Sequence, residues 1–325
     1  MIMGAPRKPP ALIPGQTIGL IAPSFAVPKP AALAEAIETL ESLGYRVKAG
    51  GSCSRRHGYF AGPDSLRVAD INRMFRDDSV DAIFCARGGY GATRLLERVD
   101  YDAIRANPKI FSGYSDVTAL HGALQRRAGL VTFHGLMATA DMAKDKRDDF
   151  SLSNFFRVLT DPAPIGLLEN PPNLPRVTIA PGRATGRLIG GNLSLVAGAL
   201  GTPYAYDFNG AILFLEDVGE KTYAIDRLLT QLARAGALDR VAGILLGHFA
   251  DCVQGAPEHF TMAEVMRELL DDLGKPVLGG IQCGHCVPKL TLPLGVLCRM
   301  DAGAGTVEVL EGAVEGIRVN RGSCG

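Results

Sequence analysis

The 325-residue sequence has no tryptophan, no net charge and no long hydrophobic run. Its 34 Lys and Arg residues balance 34 Asp and Glu residues, so no long-range field attracts nucleic acid or anionic lipid. We therefore expect neither a nucleic-acid partner nor a membrane partner. No stretch reaches the roughly 18 apolar residues of a membrane span. Residues 1–16 contain four prolines and lack the apolar run of a signal peptide, so the expected location is the cytoplasm.

The seven cysteines are odd in number and scattered, which argues against a disulfide framework and fits reduced thiols. Their one cluster, Cys283-Gly-His-Cys286, matches a dithiol motif of disulfide exchange. That chemistry needs the first cysteine at a helix N-terminus, and the proline-containing residues 287–293 do not read as a helix. A zinc site would need a second Cys or His pair at finger spacing, which is missing. We expect Cys283 and Cys286 to be bystanders and no metal to be bound.

The common cofactor motifs are also missing. The sequence has no G-x-x-x-x-G-K-[ST] loop, no H-E-x-x-H, and no G-x-G-x-x-G between a strand and a helix. We therefore expect no cofactor, and a nucleotide- or dinucleotide-binding role for the chain is disfavoured.

The length predicts two domains, and a hydrophobic content of 47% suffices for a core in each. In the first half, short apolar runs alternate with helical periodicity, which indicates a parallel sheet covered on both faces. The prediction is an α/β domain over residues 1–165. Its predicted strands are residues 17–22, 45–47, 80–85 and 109–111, and its predicted helices are residues 31–43, 66–75 and 117–125.

A proline-rich segment, residues 161–181, is the expected linker. Its six prolines cannot support a helix interior or a central strand. Beyond it the pattern predicts a second, strand-rich α+β domain over residues 176–325. The expected elements there are strands at 211–215, 241–246 and 306–310 and a helix at 225–233.

Two glycine-containing loops follow the third and fourth predicted strands, where ligands of open α/β sheets gather. Ser115 lies between a strand and a helix, a context that presents a nucleophilic hydroxyl, although Ser115 and Asp116 could instead simply cap the helix. Gly88 and Gly89 leave backbone N–H groups open and, with the N–H of Asp116, could form an oxyanion hole. The alternative for this glycine pair is an ordinary turn.

A serine nucleophile needs a base and an acceptor that orients the base. Of the six histidines, His121 is expected to face the packed side of its helix, and for His134 and His248, which follow apolar runs, a hydrogen-bonded core position is an equal alternative to a catalytic one. His285 lies in a turn-rich loop where its imidazole can face a cleft. Glu216 and Asp217, at the end of an apolar run, are the carboxylate candidates. The pattern alone does not choose between them.

Five motifs in one order resemble the LD-carboxypeptidases, also called muramoyltetrapeptide carboxypeptidases: RGGYG (87–91), IFSGYSD (110–116), GGNLS (190–194), FLEDVGE (214–220) and GH (284–285). The resemblance spans nearly the whole chain. It implies a catalytic triad of Ser115, Glu216 and His285, with an oxyanion hole at Gly88 or Gly89 and Asp116. It also implies a cytoplasmic homodimeric enzyme of peptidoglycan recycling that removes the terminal D-alanine from a muropeptide.

Arg87 is our candidate for binding the free substrate carboxylate, with a structural ion pair as the alternative. Two other functions stay open. Some relatives cleave peptide-nucleotide antibiotics and are expected to stack an aromatic side chain on the base, and this chain has no tryptophan. The chain could also bind muropeptides without cleaving them.

Overall fold

The computed structural model describes residues 5–316, which fold around two β-sheets. The strands are β1 (Thr17–Ile21), β2 (Arg46–Ala49), β3 (Ala82–Cys85), β4 (Ile110–Gly113), β5 (Thr132–His134), β6 (Gly166–Leu167), β7 (Val177–Ala180), β8 (Arg183–Asn192), β9 (Ile212–Val218), β10 (Gly243–Ala250), β11 (Val277–Gly279), β12 (Leu292–Leu294), β13 (Leu297–Asp301) and β14 (Thr306–Val309).

The helices lie between these strands. They are α1 (Pro30–Ser42), α2 (Asp64–Arg76), α3 (Tyr101–Ala106), α4 (Thr118–Ala128), α5 (Ala138–Asp141), α6 (Asp149–Thr160), α7 (Leu193–Gly198), α8 (Thr222–Arg234), α9 (Ala237–Arg240) and α10 (Met262–Leu270), with 3-10 turns at Gly51–Ser54, Ala92–Arg98, Ser115–Val117 and Asp271–Leu273.

The first sheet has six strands in the order β12-β5-β4-β3-β1-β2. Strands β1 to β5 pair in parallel, as the continuous apolar runs predicted. The four strands predicted in this half correspond to β1–β4, and the three predicted helices to α1, α2 and α4. The sixth strand, β12, comes from the second half of the chain and pairs antiparallel with β5. The first sheet is therefore completed by a segment that lies far along the sequence.

The second sheet has eight strands in the order β6-β14-β13-β8-β9-β10-β11-β7. Its middle strands β8 to β11 are parallel, and antiparallel strands flank them. Strands β6 and β7, both from the proline-rich segment, lie at opposite edges, where a missing backbone donor costs least. The predicted strands and helix correspond to β9, β10, β14 and α8, whereas β8 was not predicted because glycines interrupt its apolar pattern.

The two-domain α/β architecture expected from the sequence is confirmed by the two sheets and their helices. One hydrophobic core nevertheless contains residues of both sheets, among them Leu20 and Phe84 from the first sheet and Phe214 and Leu245 from the second. The boundary near residues 165–176 stays a prediction.

Gly190 and Gly191, at the end of β8, permit close packing, Gly190 against β9 and Gly191 against the start of α4. Both have positive φ angles, 112° and 140°. A Cβ on Gly190 would lie 2.0 Å from the Phe214 carbonyl oxygen, and one on Gly191 would lie 2.6 Å from Thr118 Oγ1. Any larger residue would separate β8 from β9 or from the start of α4. The glycine pair of the GGNLS motif is thus explained by packing.

Candidate active site

Ser115 stands on a strained turn between β4 and α4. Its φ angle is +63°, one of three positive values among the described non-glycine residues. Serine rarely adopts this left-handed conformation, and strain of this kind concentrates at functional sites. The strand, sharp turn and helix expected around Ser115 are all present. The turn leaves the Ser115 side chain half-buried rather than enclosed.

Gly88 lies directly against Ser115. A Cβ at position 88 would stand 2.9 Å from Ser115 Oγ, so only glycine permits this approach. Gly89, with a φ angle of +119°, packs against the Phe25 ring. Within residues 5–316 neither glycine donates its N–H to another protein group. The loop therefore presents free backbone donors beside the serine hydroxyl.

The Asp116 side chain holds this loop in place. Its Oδ2 accepts hydrogen bonds from Ser24 Oγ at 2.5 Å and from the Ala92 N–H at 2.8 Å. Burial raises the pKa of the Asp116 carboxyl, partly offset by those hydrogen bonds. Arg67, fully buried, donates to the carbonyls of Gly91 and Pro23. No sequence motif indicates the contacts of Ser24 and Arg67 with this loop, because both residues lie far from the Ser115 motif in the chain.

Glu216 and His285 form a close pair. His285 Nδ1 lies 2.7 Å from Glu216 Oε2. Because an ionised carboxylate only accepts hydrogen bonds, the proton lies on Nδ1 and Nε2 is left free to act as a base. Glu216 is fully buried on β9, and His285 is partly exposed in the loop between β11 and β12. A Cβ on Gly284 would stand 2.5 Å from Glu216 Oε2, so the glycine makes room for the carboxylate.

Asp217 points to the opposite face of β9, as alternation along a strand requires. Its carboxylate accepts from Asn192 Nδ2 at 2.8 Å and from the Ser194 hydroxyl at 2.8 Å, near the start of α7. The two carboxylates that the pattern left open therefore face different groups: Glu216 faces His285, and Asp217 holds the β8–α7 connection.

Tyr114 brings the serine turn and the histidine loop together. The His285 ring packs edge-on against Tyr114, with ring centroids 5.0 Å apart. Lys289 Nζ lies 4.1 Å from the Tyr114 ring centroid and 2.7 Å from Asp141 Oδ1. Although burial lowers the pKa of the Lys289 ammonium, the Asp141 carboxylate outweighs it, and the net pKa lies above the ordinary value. Among the described residues Ser115 Oγ makes no hydrogen bond to His285, and such contacts often tighten only with substrate.

The remaining histidines divide into buried and exposed ones. His121 and His134 are fully buried, as expected for core residues. His248 is exposed, so the alternative of a core position is wrong for it; it lies near the end of β10, where the strand leaves the apolar interior. His57 and His259 are exposed as well. His285 is the histidine that the structure brings to Glu216.

Arg87 is half-buried and directly precedes Gly88, which lies against Ser115. Its guanidinium donates to the Ala26 carbonyl at 3.2 Å and lies 5.8 Å from the Phe25 ring centroid. Burial and the charge of Arg56 both lower its pKa. In the part of the chain that the structure describes, no carboxylate pairs with Arg87. The alternative of a structural ion pair is therefore wrong for residues 5–316.

Cys283 and Cys286 lack the features of reactive thiols. Burial raises the pKa of both, to about 12 for Cys286, so neither is a thiolate near neutral pH. The six described cysteines are all free, and Cys324 lies outside the described residues. Across residues 5–316 no three His, Cys, Asp or Glu side chains stand together as metal ligands. In the same range, none of the helices has the length and apolar character to cross a bilayer.

Comparison with known proteins identifies the family of the chain. The sequence pattern of the LD-carboxypeptidase N-terminal domain matches residues 18–135, and that of the C-terminal domain matches residues 185–300. The probable murein peptide carboxypeptidase of Bacillus subtilis is 40% identical, over 95% of this chain and 96% of that protein. The crystal structure of muramoyltetrapeptide carboxypeptidase from Oxalobacter formigenes has a TM-score of 0.80 at 31% identity, covering 93% of this chain and 100% of that one.

A second group of similar proteins has a different name. The Microcin C7 self-immunity protein MccF of Escherichia coli is 31% identical, over 96% of this chain and 98% of that protein. A solved structure of a protein of that name, in the wild-type apo state, has a TM-score of 0.89 at 29% identity, covering 95% of this chain and 100% of that one.

The fold and these matches define a peptide-bond hydrolase of the carboxypeptidase class. The chain belongs to the LD-carboxypeptidase family. The family resemblance seen in the sequence motifs is confirmed.

The buried His121 predicts a specific loss of stability in acid. Burial lowers its pKa to about 4, partly offset by the hydrogen bond from Nε2 to the Gly113 carbonyl. Between the ordinary pKa of about 6.5 and about 4, the unfolded chain binds a proton that the folded chain does not, so the free energy of unfolding falls as the pH falls. This difference is worth about 3 kcal/mol.

The variant His121→Gln keeps a donor for Gly113 but cannot titrate. Between pH 7 and pH 4, urea unfolding should show a smaller loss of stability for this variant than for the wild type. His57→Gln, at an exposed position, is the control and should follow the wild type. Parallel curves for His121→Gln and wild type would contradict the assignment.

Proposed function

We propose that this protein is a serine carboxypeptidase that removes the C-terminal D-alanine from muropeptide tetrapeptides. The observation that carries the proposal is the Glu216–His285 hydrogen bond of 2.7 Å beside the strained Ser115 turn. Nucleophile, base and orienting carboxylate are the three parts that acyl transfer needs. The similarity to murein peptide carboxypeptidases supports this substrate class.

In the proposed mechanism, Ser115 Oγ attacks the carbonyl carbon that precedes the D-residue. His285 Nε2 takes the hydroxyl proton as the Oγ–C bond forms, and Glu216 stabilises the resulting imidazolium through Nδ1. The C–N bond then breaks, and the proton on Nε2 passes to the leaving amine of D-alanine. Water, deprotonated by the same Nε2, hydrolyses the acyl-enzyme and releases the tripeptide. No metal or cofactor takes part in these steps.

The negative oxygen of the tetrahedral intermediate needs preorganised donors. The free N–H groups of Gly88 or Gly89, beside Ser115 Oγ, supply one, and the N–H of Asp116 supplies the other. The contacts of the Asp116 side chain with Ser24 and Ala92 fix the position of Asp116 relative to the loop that contains Gly88 and Gly89.

An exopeptidase must also recognise the free carboxylate of its substrate. Arg87 carries a positive charge without a carboxylate partner among the described residues and lies one residue from Gly88. We propose that it binds the carboxylate of the terminal D-alanine in a charge-assisted hydrogen bond. Within residues 5–316, no carboxylate partner of Arg87 has to be displaced when the substrate binds.

The triad is tested by mass spectrometry of a muropeptide tetrapeptide incubated with the purified protein. Wild type should release D-alanine, whereas Ser115→Ala, Glu216→Gln and His285→Ala should each lose at least about a thousandfold in kcat. Because the three residues act as a unit, double variants should lose little more than single ones. Asp217→Asn is the matched control on β9, and its kcat should exceed that of Glu216→Gln by at least about tenfold. Near-normal turnover by a folded Ser115→Ala variant would refute the assignment.

The same incubations separate the second candidate function. A solved structure of the Microcin C7 self-immunity protein is in complex with aspartyl sulfamoyl adenosine, and the similarity to that protein favours a peptide–nucleotide substrate as the alternative. A peptidyl nucleotide cleaved faster than the tetrapeptide would replace the muropeptide proposal. Binding of the tetrapeptide without cleavage would identify a muropeptide-binding protein instead.

Arg87→Met should raise KM for the tetrapeptide by about ten- to hundredfold with a smaller change in kcat, because one charge-assisted hydrogen bond is lost. The discriminating substrate is the same peptide with an amidated C-terminus, which wild type and variant should bind equally weakly. Arg56→Met removes a nearby exposed arginine and is the control. An equal effect of Arg87→Met on both substrates would mean that the side chain only supports the Phe25 loop.

We also propose that the protein is a cytoplasmic homodimer without nucleic-acid or membrane partners. The free cysteines of residues 5–316 fit a reducing compartment, and the balanced charge of the chain offers no attraction for polyanions. The dimer rests on the family resemblance. Sedimentation equilibrium at micromolar concentration should give twice the chain mass, and a monomer at all concentrations would refute the dimer.

A further inference from the structure

Only one oxygen of the Glu216 carboxylate is accounted for by His285. Oε2 accepts from His285 Nδ1, whereas Oε1 is buried and has no hydrogen-bond partner among the described residues. A buried carboxylate oxygen without a donor is costly and leaves the group free to rotate about its last bond. The polar atom that approaches Oε1 is His134 Nε2, at 3.9 Å.

His134 is as deeply buried as Glu216 and also lacks partners. It ends β5, in the first sheet, and neither of its ring nitrogens is hydrogen-bonded within residues 5–316. Its ring packs edge-on against Phe214 from the second sheet, with centroids 5.3 Å apart, so it lies at the junction of the two sheets. Two groups that each need a partner therefore face each other across less than 4 Å.

The charge state of His134 suits a donor to a carboxylate. Burial, with the nearby His121, His285 and Lys289, lowers the pKa of His134 well below its ordinary value, so the ring is neutral and carries one N–H. Nδ1 faces Gly191, on the side of Thr118: a Cβ there would lie 3.1 Å from Nδ1 and 2.6 Å from Thr118 Oγ1. The polar atom that approaches Nε2 is a carboxylate oxygen, which only accepts, and this favours the proton on Nε2.

We propose that His134 is a positioning residue that donates from Nε2 to Glu216 Oε1 and so fixes the carboxylate that orients His285. The inference rests on the proposed triad. Closing 3.9 Å to hydrogen-bond length requires a movement of less than about 1 Å, within the reach of a small ring rotation. The acid of the triad would then be held from both sheets, by His285 on one oxygen and by His134 on the other.

Three substitutions separate this role from simple packing. His134→Phe keeps the ring and removes the donor, His134→Gln places an amide N–H near the position of Nε2, and His134→Asn places it near Nδ1. We expect kcat for the tetrapeptide to fall about ten- to hundredfold in the Phe and Asn variants with KM within about twofold, and the Gln variant to recover most of the loss. If the Phe variant does not fold, the kcat values of the Gln and Asn variants are compared. A clearly higher kcat for Gln supports the positioning role, and equal values contradict it.

The matched control is Thr132→Val. Thr132 lies two residues earlier on β5, is buried and also has an unpaired side-chain oxygen, but no contact in the described structure joins it to Glu216. The exchange is nearly isosteric. Its kcat should stay within about twofold of wild type, which shows that removing a buried polar group from β5 is not enough to impair catalysis.

A spectroscopic readout tests the same idea without turnover. The proton shared by His285 Nδ1 and Glu216 should give a far-downfield ¹H NMR resonance that disappears in His285→Ala. We expect it to be retained in His134→Gln and to shift upfield or broaden in His134→Phe and His134→Asn. Without the second donor the Glu216 carboxylate can rotate, and its hydrogen bond with His285 Nδ1 becomes weaker. If the wild type does not cleave the tetrapeptide, the proposed function fails, and the resonance series still decides the role of His134. An unchanged resonance and kcat in His134→Phe, or equal losses in Gln and Asn, would overturn it.

Discussion

The site depends on one buried carboxylate. Glu216 is enclosed where the two sheets meet, and a charge in that position is tolerated only if hydrogen bonds compensate it. The hydrogen bond from His285 Nδ1 to Oε2 provides part of this compensation and holds the His285 loop against Glu216. It also explains the glycine at position 284, because a side chain there would collide with the Glu216 carboxylate. Removing one partner of a buried charged pair typically costs about 3–5 kcal/mol, so the loop conformation and the charge stabilise each other.

The parts of the site come from different sheets, and their alignment is maintained by the packing between them. Ser115 ends a strand of the first sheet and Glu216 lies on β9 of the second, while β12 of the first sheet follows the His285 loop. The shared hydrophobic core and the glycine pair at the end of β8 bring these strands into contact. A hinge between independent domains would not hold heavy atoms at the roughly 3 Å that proton transfer needs.

Much of the fold follows from local chemistry. The apolar runs that became β1, β3, β4, β9 and β10 alternate with helical periodicity, and continuous apolar strands are stable only when both faces are covered. The turn at Ser115 was predictable because a strand, a sharp turn and a helix follow one another within a few residues. In contrast, β8 has too many glycines for its periodicity to show, and β12 is a three-residue strand whose pairing depends on β5, far earlier in the chain.

The sequence by itself determined the fold class, the order of seven of the strands and four of the helices, and the family, because each of these depends on periodicity or on motifs of neighbouring residues. The motif FLEDVGE offered both Glu216 and Asp217, and only the tertiary structure decided between them, since the two side chains point to opposite faces of β9 and just one face meets His285. The approach of His134 to Glu216 is likewise a property of the assembled sheets, as is the lack of a carboxylate partner for Arg87 within residues 5–316. Contacts between residues more than a hundred positions apart, such as Lys289 with Asp141, leave no periodic trace, and they exist only once packing has closed the distance.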